Sequence, residues 1–318
     1  AINLVAQTFG RQEIGAGDEI IVSTLEHHSN IVPWQQLARE RDAVLRVAPV
    51  SDRGEFMLAE FAGMLNARTK LVAVTQVSNA LGVVLPVAEI VQAAHRAGAR
   101  VLVDGAQAVP HFRVDVRRLD ADFYAFSGHK LFGPTGIGVL YGKAELLRAL
   151  PPWQGGGSMI RRVSFTATEY NDIPQKFEAG TGNIAGAVGL GAALEYLERI
   201  DFAAAVAYEH ELMAYALRLL TAIDGVQQVG AAPQRVGAIS LTVAGCTPEE
   251  VGAYLDREGI AVRAGHHCAQ PALQRFGVTA TVRPSLAFYN TRTEIELLAA
   301  ALKRLVNRQS GPTTRFTF

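Results

Sequence analysis

The chain has 318 residues, of which 49% are hydrophobic, and its 30 lysines and arginines balance 30 aspartates and glutamates. That length exceeds the roughly 250–300 residues over which one hydrophobic core usually grows, so two lobes are expected. With zero formal charge and no block of like charges, it lacks the electrostatic footprint that nucleic acid or an anionic membrane surface requires, which leaves small-molecule chemistry as the default.

Two cysteines, Cys246 and Cys268, cannot build a disulfide framework, and the opening AINLVAQTFG lacks the basic segment and apolar run of a secretory signal. A soluble protein of the reducing cytoplasm is expected. The most apolar stretch, IAGAVGLGAALEYL, is interrupted by glycines and falls short of the roughly 20 residues that span a bilayer.

In chain order, the Val- and Ile-rich bursts EIIVST, VLRVAPV, KLVAVTQ, RVLVDGA, DFYAFSG and IGVLYG read as strands, with VPWQQLARER and VAEIVQAAHRAG as intervening helices. Pro86 sits where a first turn starts, and Gly98 is placed for a left-handed stop. Strands so uniformly apolar imply burial on both faces, hence an α/β fold with a mostly parallel sheet flanked by helices. From about residue 183 the pattern turns helical through NIAGAVGLGAALEYLERI and AVAYEHELMAYALRLLTAI. VGAISLTV, a helix from Pro248, GIAVRAG, VRPSLAFYN and a last helix near 293–308 follow, which makes a smaller α+β lobe. The expected domains are 1–197 and 198–318. Cys246 lies in GCTPEE, where Thr247, Pro248 and Glu250 fit a helix cap, first-turn proline and capping-box glutamate, so it reads as a small packed residue before a helix. The tail QSGPTTRFTF reads as mobile.

In such a sheet, ligands bind beyond the carboxyl ends of the strands. Asp104 ends one apolar strand and Lys130 follows the next, after a Ser-Gly-His turn. A carboxylate opposite a pyridinium nitrogen and a lysine able to form a Schiff base are the protein groups that pyridoxal phosphate needs. Ser127 and His129 are placed to donate to phosphate oxygens, and Gly128 lets the backbone come close. Once substrate displaces it, the Lys130 amine can move protons. His27 and His28 follow the strand EIIVST and so reach the same rim, where an imidazole could stack on a cofactor ring and shuttle a proton.

The stretch RAGHHCAQP, residues 263–271, leaves three readings of Cys268. A metal site is disfavoured, because adjacent histidines on an extended stretch point to opposite sides and structural zinc wants four ligands at recognisable spacings. A buried cysteine is the bland alternative. A nucleophile suits the surroundings better, since Arg263, Arg283 and the histidines favour thiolate and the glycine-bearing loop offers mobility.

The stretches EHHSNIVPW, VSNALGVVLPV, VLVDGAQAV, FYAFSGHKLFGPTGIG, PPWQGGGSMI, FEAGTGN and GIAVRAGHHCAQP resemble the SufS/CsdA type (group II) of cysteine desulfurases, fold-type I pyridoxal-phosphate (PLP) enzymes related to class V aminotransferases. The likeness runs over nearly the whole chain, and RAGHHCAQP is its most specific element. The resemblance implies Lys130 as the Schiff-base lysine, Asp104 as the pyridinium partner, Gln107 on the phenolic oxygen and His27 as the stacking acid–base group. It also implies Ser127 and His129 on the phosphate, with Thr181 as a phosphate contact delivered from a second subunit of a homodimer. Arg283, assisted by Asn79, would hold the substrate carboxylate, with Arg263 as a further active-site arginine and Cys268 as the sulfur acceptor.

The implied reaction converts L-cysteine to L-alanine and leaves a persulfide on Cys268, from which a SufE- or SufU-type acceptor protein carries sulfur to iron–sulfur cluster assembly. A selenocysteine lyase, or a class V aminotransferase or β-lyase with Cys268 as bystander, are the alternatives. Members of the type carry a further segment, with a phosphate-binding Thr-Thr turn, ahead of the point where AINLVAQ begins, so a partial chain is expected.

Overall fold

The computed structural model describes residues 1–309; the expectation for the tail beyond Gln309 lies outside them. The chain divides into two compact units. One comprises Ala1–Val50, Phe56–Val77 and Leu85–Phe202; the other comprises Ser51–Glu55, Ser78–Val84 and the chain from Ala203 onward. The division thus falls a few residues later than 197, and two short loops of the first half join the second unit.

The first unit is built on six strands, β1 (Glu19–Ser23), β2 (Val44–Ala48), β3 (Thr69–Thr75), β4 (Arg100–Asp104), β5 (Phe123–Ser127) and β6 (Gly138–Gly142), in the order β2-β1-β3-β4-β5-β6. All pairings are parallel except β5 with β6. The interior strands behave as their apolar sequences require: Ile20, Ile21, Leu71, Val72, Val101 and Leu102 are fully buried. The edge strands do not, and Val44, Val47 and Val139 stand exposed. Against one face the helix Val32–Arg41 lays Trp34 and Leu37 into a core with Phe9, Ile20, Leu71 and Phe123. Pro33 opens that helix and Asp42, in the left-handed region, ends it. A two-stranded hairpin, β7 (Ile160–Val163) and β8 (Thr168–Tyr170), precedes the helix Ile184–Glu198, which Asn183 caps by accepting from the Gly186 N–H at 2.8 Å.

The second unit is an antiparallel sheet in the order β11-β12-β10-β9, with β9 (Val226–Gln228), β10 (Leu241–Val243), β11 (Arg263–Gly265) and β12 (Thr281–Arg283). Helices Phe202–Thr221, Pro248–Arg257 and Arg292–Gln309 bring Leu212, Leu255 and Leu302 onto one core with Leu241 and Val282. The capping box expected at Thr247 and Glu250 is formed. The excursion 78–84 is held by backbone bonds, Val84 N–H to Gln234 O and Val236 N–H to Gly82 O. A Cβ on Gly82 would lie 2.4 Å from the carbonyl oxygens of Val236 and Ala238, so only glycine admits this crossing. No helix among the described residues is long and apolar enough to cross a membrane.

Candidate active site

Because β1, β3, β4 and β5 run parallel, the loops leaving their carboxyl ends share one rim. His27 follows β1, Asp104 ends β4 with Gln107 three residues on, Ser127 ends β5, and His129 and Lys130 sit in the 3-10 turn Gly128–Leu131. Asp104 is buried, and its Oδ1 accepts from the Ala106 N–H at 3.0 Å. Burial pushes its pKa up, while that N–H and the Lys130 ammonium pull it down. A buried carboxylate coupled to a half-buried lysine is the donor set that a cationic heterocycle with an aldehyde would require.

His27 caps the 3-10 turn His28–Asn30, with its Nδ1 accepting from the Ser29 N–H at 3.0 Å. Its Nδ1 therefore bears no proton, and the neutral ring carries its hydrogen on Nε2. Ser127 is half-buried and His129 exposed. Gly128 has a reason of its own, since a Cβ there would meet Ile137 Cγ2 at 2.7 Å. Thr181 stands exposed in the loop before the helix Ile184–Glu198.

Beneath His27 lies Glu26, fully buried. Its Oε1 accepts from Ser23 Oγ at 2.5 Å and the Thr75 N–H at 2.9 Å, and its Oε2 from Asn30 Nδ2 at 2.6 Å. Asn30 in turn accepts from Trp34 Nε1 at 2.9 Å. One side chain thereby ties the ends of β1 and β3 to the turn that carries His27. Burial pushes the Glu26 pKa up to about 8 against the pull of these three donors, and the Asp104 charge adds to the push. Glu26→Ala leaves three buried donors unsatisfied and is expected to destabilise the chain by about 3–5 kcal/mol, measured by urea unfolding. Glu26→Gln, which keeps two of the three acceptor contacts, should cost about half as much or less.

The remaining expected residues gather in the second unit. Arg263 and Arg283 are direct cross-strand partners on β11 and β12. Arg283 donates from Nη1 to Asn79 O, and its Nε is buried without a partner. Burial and the facing Arg263 push its pKa down to about 10. Cys268 Sγ lies 3.8 Å from Arg263 Nη2. The segment is not the extended stretch that the sequence suggested: His267 and Cys268 both have φ of 55°, a left-handed turn. This turn buries His267, rather than directing the two histidines to opposite sides of a strand.

The His267 pKa is pushed down to about 4 by burial and by the positive charges of Arg283 and Arg263, with a hydrogen bond to the Thr281 backbone opposing the effect and His266 adding to it. Below about pH 6.5 the unfolded chain takes up a proton that the folded ring refuses. Stability from this group is therefore complete above pH 6.5 and is lost as pH falls toward 4, by on the order of 2–3 kcal/mol. Urea midpoints at pH 7 and pH 5 should differ accordingly, and His267→Gln should remove that part of the difference.

The aminotransferase class-V family model matches residues 1–298. The chain belongs to the class-V aminotransferase family. It is 59% identical over 305 residues to a cysteine desulfurase of Synechococcus elongatus, covering 96% of this chain and 49% of that protein. This class-V chain thus spans about half the length of that curated relative. Among solved structures, the cysteine desulfurase CsdA of Escherichia coli, in an S-sulfonic acid form, superposes with a TM-score of 0.93 at 42% identity, covering 96% of this chain and 76% of CsdA. A C-DES mutant with glycine covalently linked to its PLP cofactor superposes with a TM-score of 0.83 at 26% identity, over 95% of this chain and 77% of the mutant. The sheet with its flanking helices is the fold-type I architecture.

Sequence reasoning missed Glu26, which reads as a solvated charge. Its only signal is the spacing Glu26, Asn30, Trp34, one polar chain leading into an aromatic anchor. Tyr124 was also missed: buried within β5, it donates to Gln76 Oε1 at 2.6 Å, and nothing in FYAFS marks it as polar wiring.

Proposed function

We propose that this class-V chain carries the machinery of a PLP-dependent cysteine desulfurase, converting L-cysteine to L-alanine with sulfur passing to Cys268. The observation that carries the reading is the Cys268 thiol against Arg263 and near Arg283, in a chain that also holds the buried Asp104 coupled to Lys130. PLP, when bound, supplies an electron sink that makes the substrate's α-proton removable and its β-carbon able to release sulfur. Asp104 and Lys130 would hold it, with Gln107, His27, Ser127, His129 and a Thr181 from a second copy as further contacts.

The chain's own groups then have distinct tasks. Arg283, with Asn79, binds the substrate carboxylate, and Arg263 keeps positive charge beside the thiol. The Lys130 amine takes the α-proton and returns protons to carbon. His27 moves the proton of the arriving or departing thiol. The Cys268 thiolate bonds to the substrate's sulfur as the carbon–sulfur bond breaks, and the electron pair left on carbon is protonated on the way to alanine.

A cytoplasmic homodimer handing sulfur to a SufE- or SufU-type acceptor for iron–sulfur cluster assembly completes the proposal. Support for the dimer comes from the helix Ile184–Glu198, which follows the exposed Thr181 loop and leaves Ile184, Val188 and Tyr196 exposed. Light scattering should return twice the single-chain mass. With L-cysteine and a reductant, the expected products are sulfide and alanine in equal amounts. Pyruvate with ammonia would instead indicate a β-lyase, a 2-oxo acid an aminotransferase, and turnover with selenocysteine alone a selenocysteine lyase.

A further inference from the structure

His267 has no part in the chemistry set out above, yet its ring is 1% exposed and its bonds run in one direction only. Its Nε2 lies 2.8 Å from Thr281 Oγ1, Thr281 Oγ1 is 3.0 Å from Ser240 Oγ, and Ser240 Oγ is 2.7 Å from Ala80 O. The carbonyl of Ala80 can only accept, so the single hydroxyl proton of Ser240 points to it. Ser240 Oγ must then accept from Thr281, whose single proton is thereby committed. Thr281 Oγ1 is left only as an acceptor, and His267 must meet it with Nε2–H. The ring is neutral, with Nδ1 bare, and Nδ1 is indeed buried without a partner.

The backbone beside this ring is strained. Two consecutive non-glycine residues, His267 and Cys268, lie in the left-handed region, where each is unfavourable unless its surroundings fix it. Two contacts do so. The ring is bolted through Thr281, and the His267 carbonyl accepts from Asn79 Nδ2 at 2.6 Å. Inside the turn the Cys268 N–H donates to His266 Nδ1 at 3.0 Å and the Ala269 N–H to His266 O at 2.9 Å.

The geometry points to His267 as a positioning residue, a neutral imidazole whose tautomer is fixed by the hydroxyl relay Thr281–Ser240–Ala80 and which holds the left-handed turn presenting Cys268. Its value for catalysis rests on the reading of Cys268 as the sulfur acceptor. The anchoring itself does not, and it is tested without substrate or cofactor.

Hydrogen exchange of the peptide spanning residues 266–270 reads the turn directly. In Thr281→Val, which removes the acceptor at nearly constant volume, the Cys268 and Ala269 amides should exchange roughly tenfold faster while the helix Pro248–Arg257 keeps its protection. Thr281→Ser, which retains the hydroxyl, should stay near the native rate. Equal acceleration in both variants, none in Thr281→Val, or acceleration across the whole unit would overturn the proposal.

The second readout is the tautomer. In histidine-labelled full chain, nitrogen spectra should show His267 protonated on Nε2 alone, and Ser240→Ala, which frees the Thr281 proton to turn round, should give a mixture. That variant serves equally if Thr281→Val does not fold. A native Nδ1–H ring, or a Ser240→Ala spectrum identical to native, contradicts the relay. Absence of desulfurase activity from the native PLP-loaded chain, with both readouts as expected, would count against the functional reading and not against the anchor.

Discussion

Lys130→Ala is expected to reduce alanine formation from L-cysteine by roughly a thousandfold or more, because the proposed chemistry gives this one side chain the roles of both covalent anchor and proton carrier. It sits in the short turn after β5, coupled electrostatically to the buried Asp104, so the substitution also removes the cation that lowers the Asp104 pKa. Borohydride reduction of the PLP-loaded protein, followed by peptide mapping, checks the anchor independently of rate. The label should fall on the peptide containing Lys130 and vanish in Lys130→Ala. Labelling of Lys70, Lys143 or Lys176 in its place would remove Lys130 from the role. Lys143 is tied to Asp120 at 2.6 Å and Lys176 to Arg148 O at 2.9 Å, so neither is an attractive competitor.

Cys268→Ala should lower sulfide release from L-cysteine by roughly a hundredfold or more while substrate binding persists. Binding and sulfur acceptance separate because the carboxylate-holding candidates are Arg283 and Asn79, whose mutual bond does not involve Cys268. The measurement is a pair of titrations with L-cysteine, one reading sulfide and the other the visible spectrum of the bound cofactor. An unchanged sulfide rate would make Cys268 a bystander and favour a β-lyase. Selenide release from selenocysteine should suffer less, since selenium leaves carbon with less help from an enzyme thiol.

Strands β1 to β5 were legible because their branched apolar runs end at turn residues, and Asp104 and Lys130 stood out as polar groups at the ends of such runs. The antiparallel return of β6 and the hairpin β7–β8 were not. IRRV and TEY are short and polar, and their pairing is solvent-exposed, so neither hydrophobic period nor burial marks them. The loops 51–55 and 78–84 join the second unit through backbone bonds and through side-chain bonds such as Arg53 to Ala231 O and Asn79 to His267 O, between partners too far apart in sequence to form a local pattern. In the candidate site, the sequence offers the residue types but not their conformation. RAGHHCAQP offers a candidate thiol among basic residues, but the left-handed pair at 267–268 depends on Asn79 and Thr281, distant in sequence. Glu26 shows the same limit, its burial following from contacts to Thr75 on a strand 49 positions away.

The most direct measurement is the intact mass of the PLP-loaded chain after brief exposure to L-cysteine without reductant. The proposed chemistry requires one added sulfur, located by peptide mapping on the fragment containing Cys268 and released by dithiothreitol. An unmodified chain alongside accumulating alanine, or sulfur located on Cys246, would contradict it.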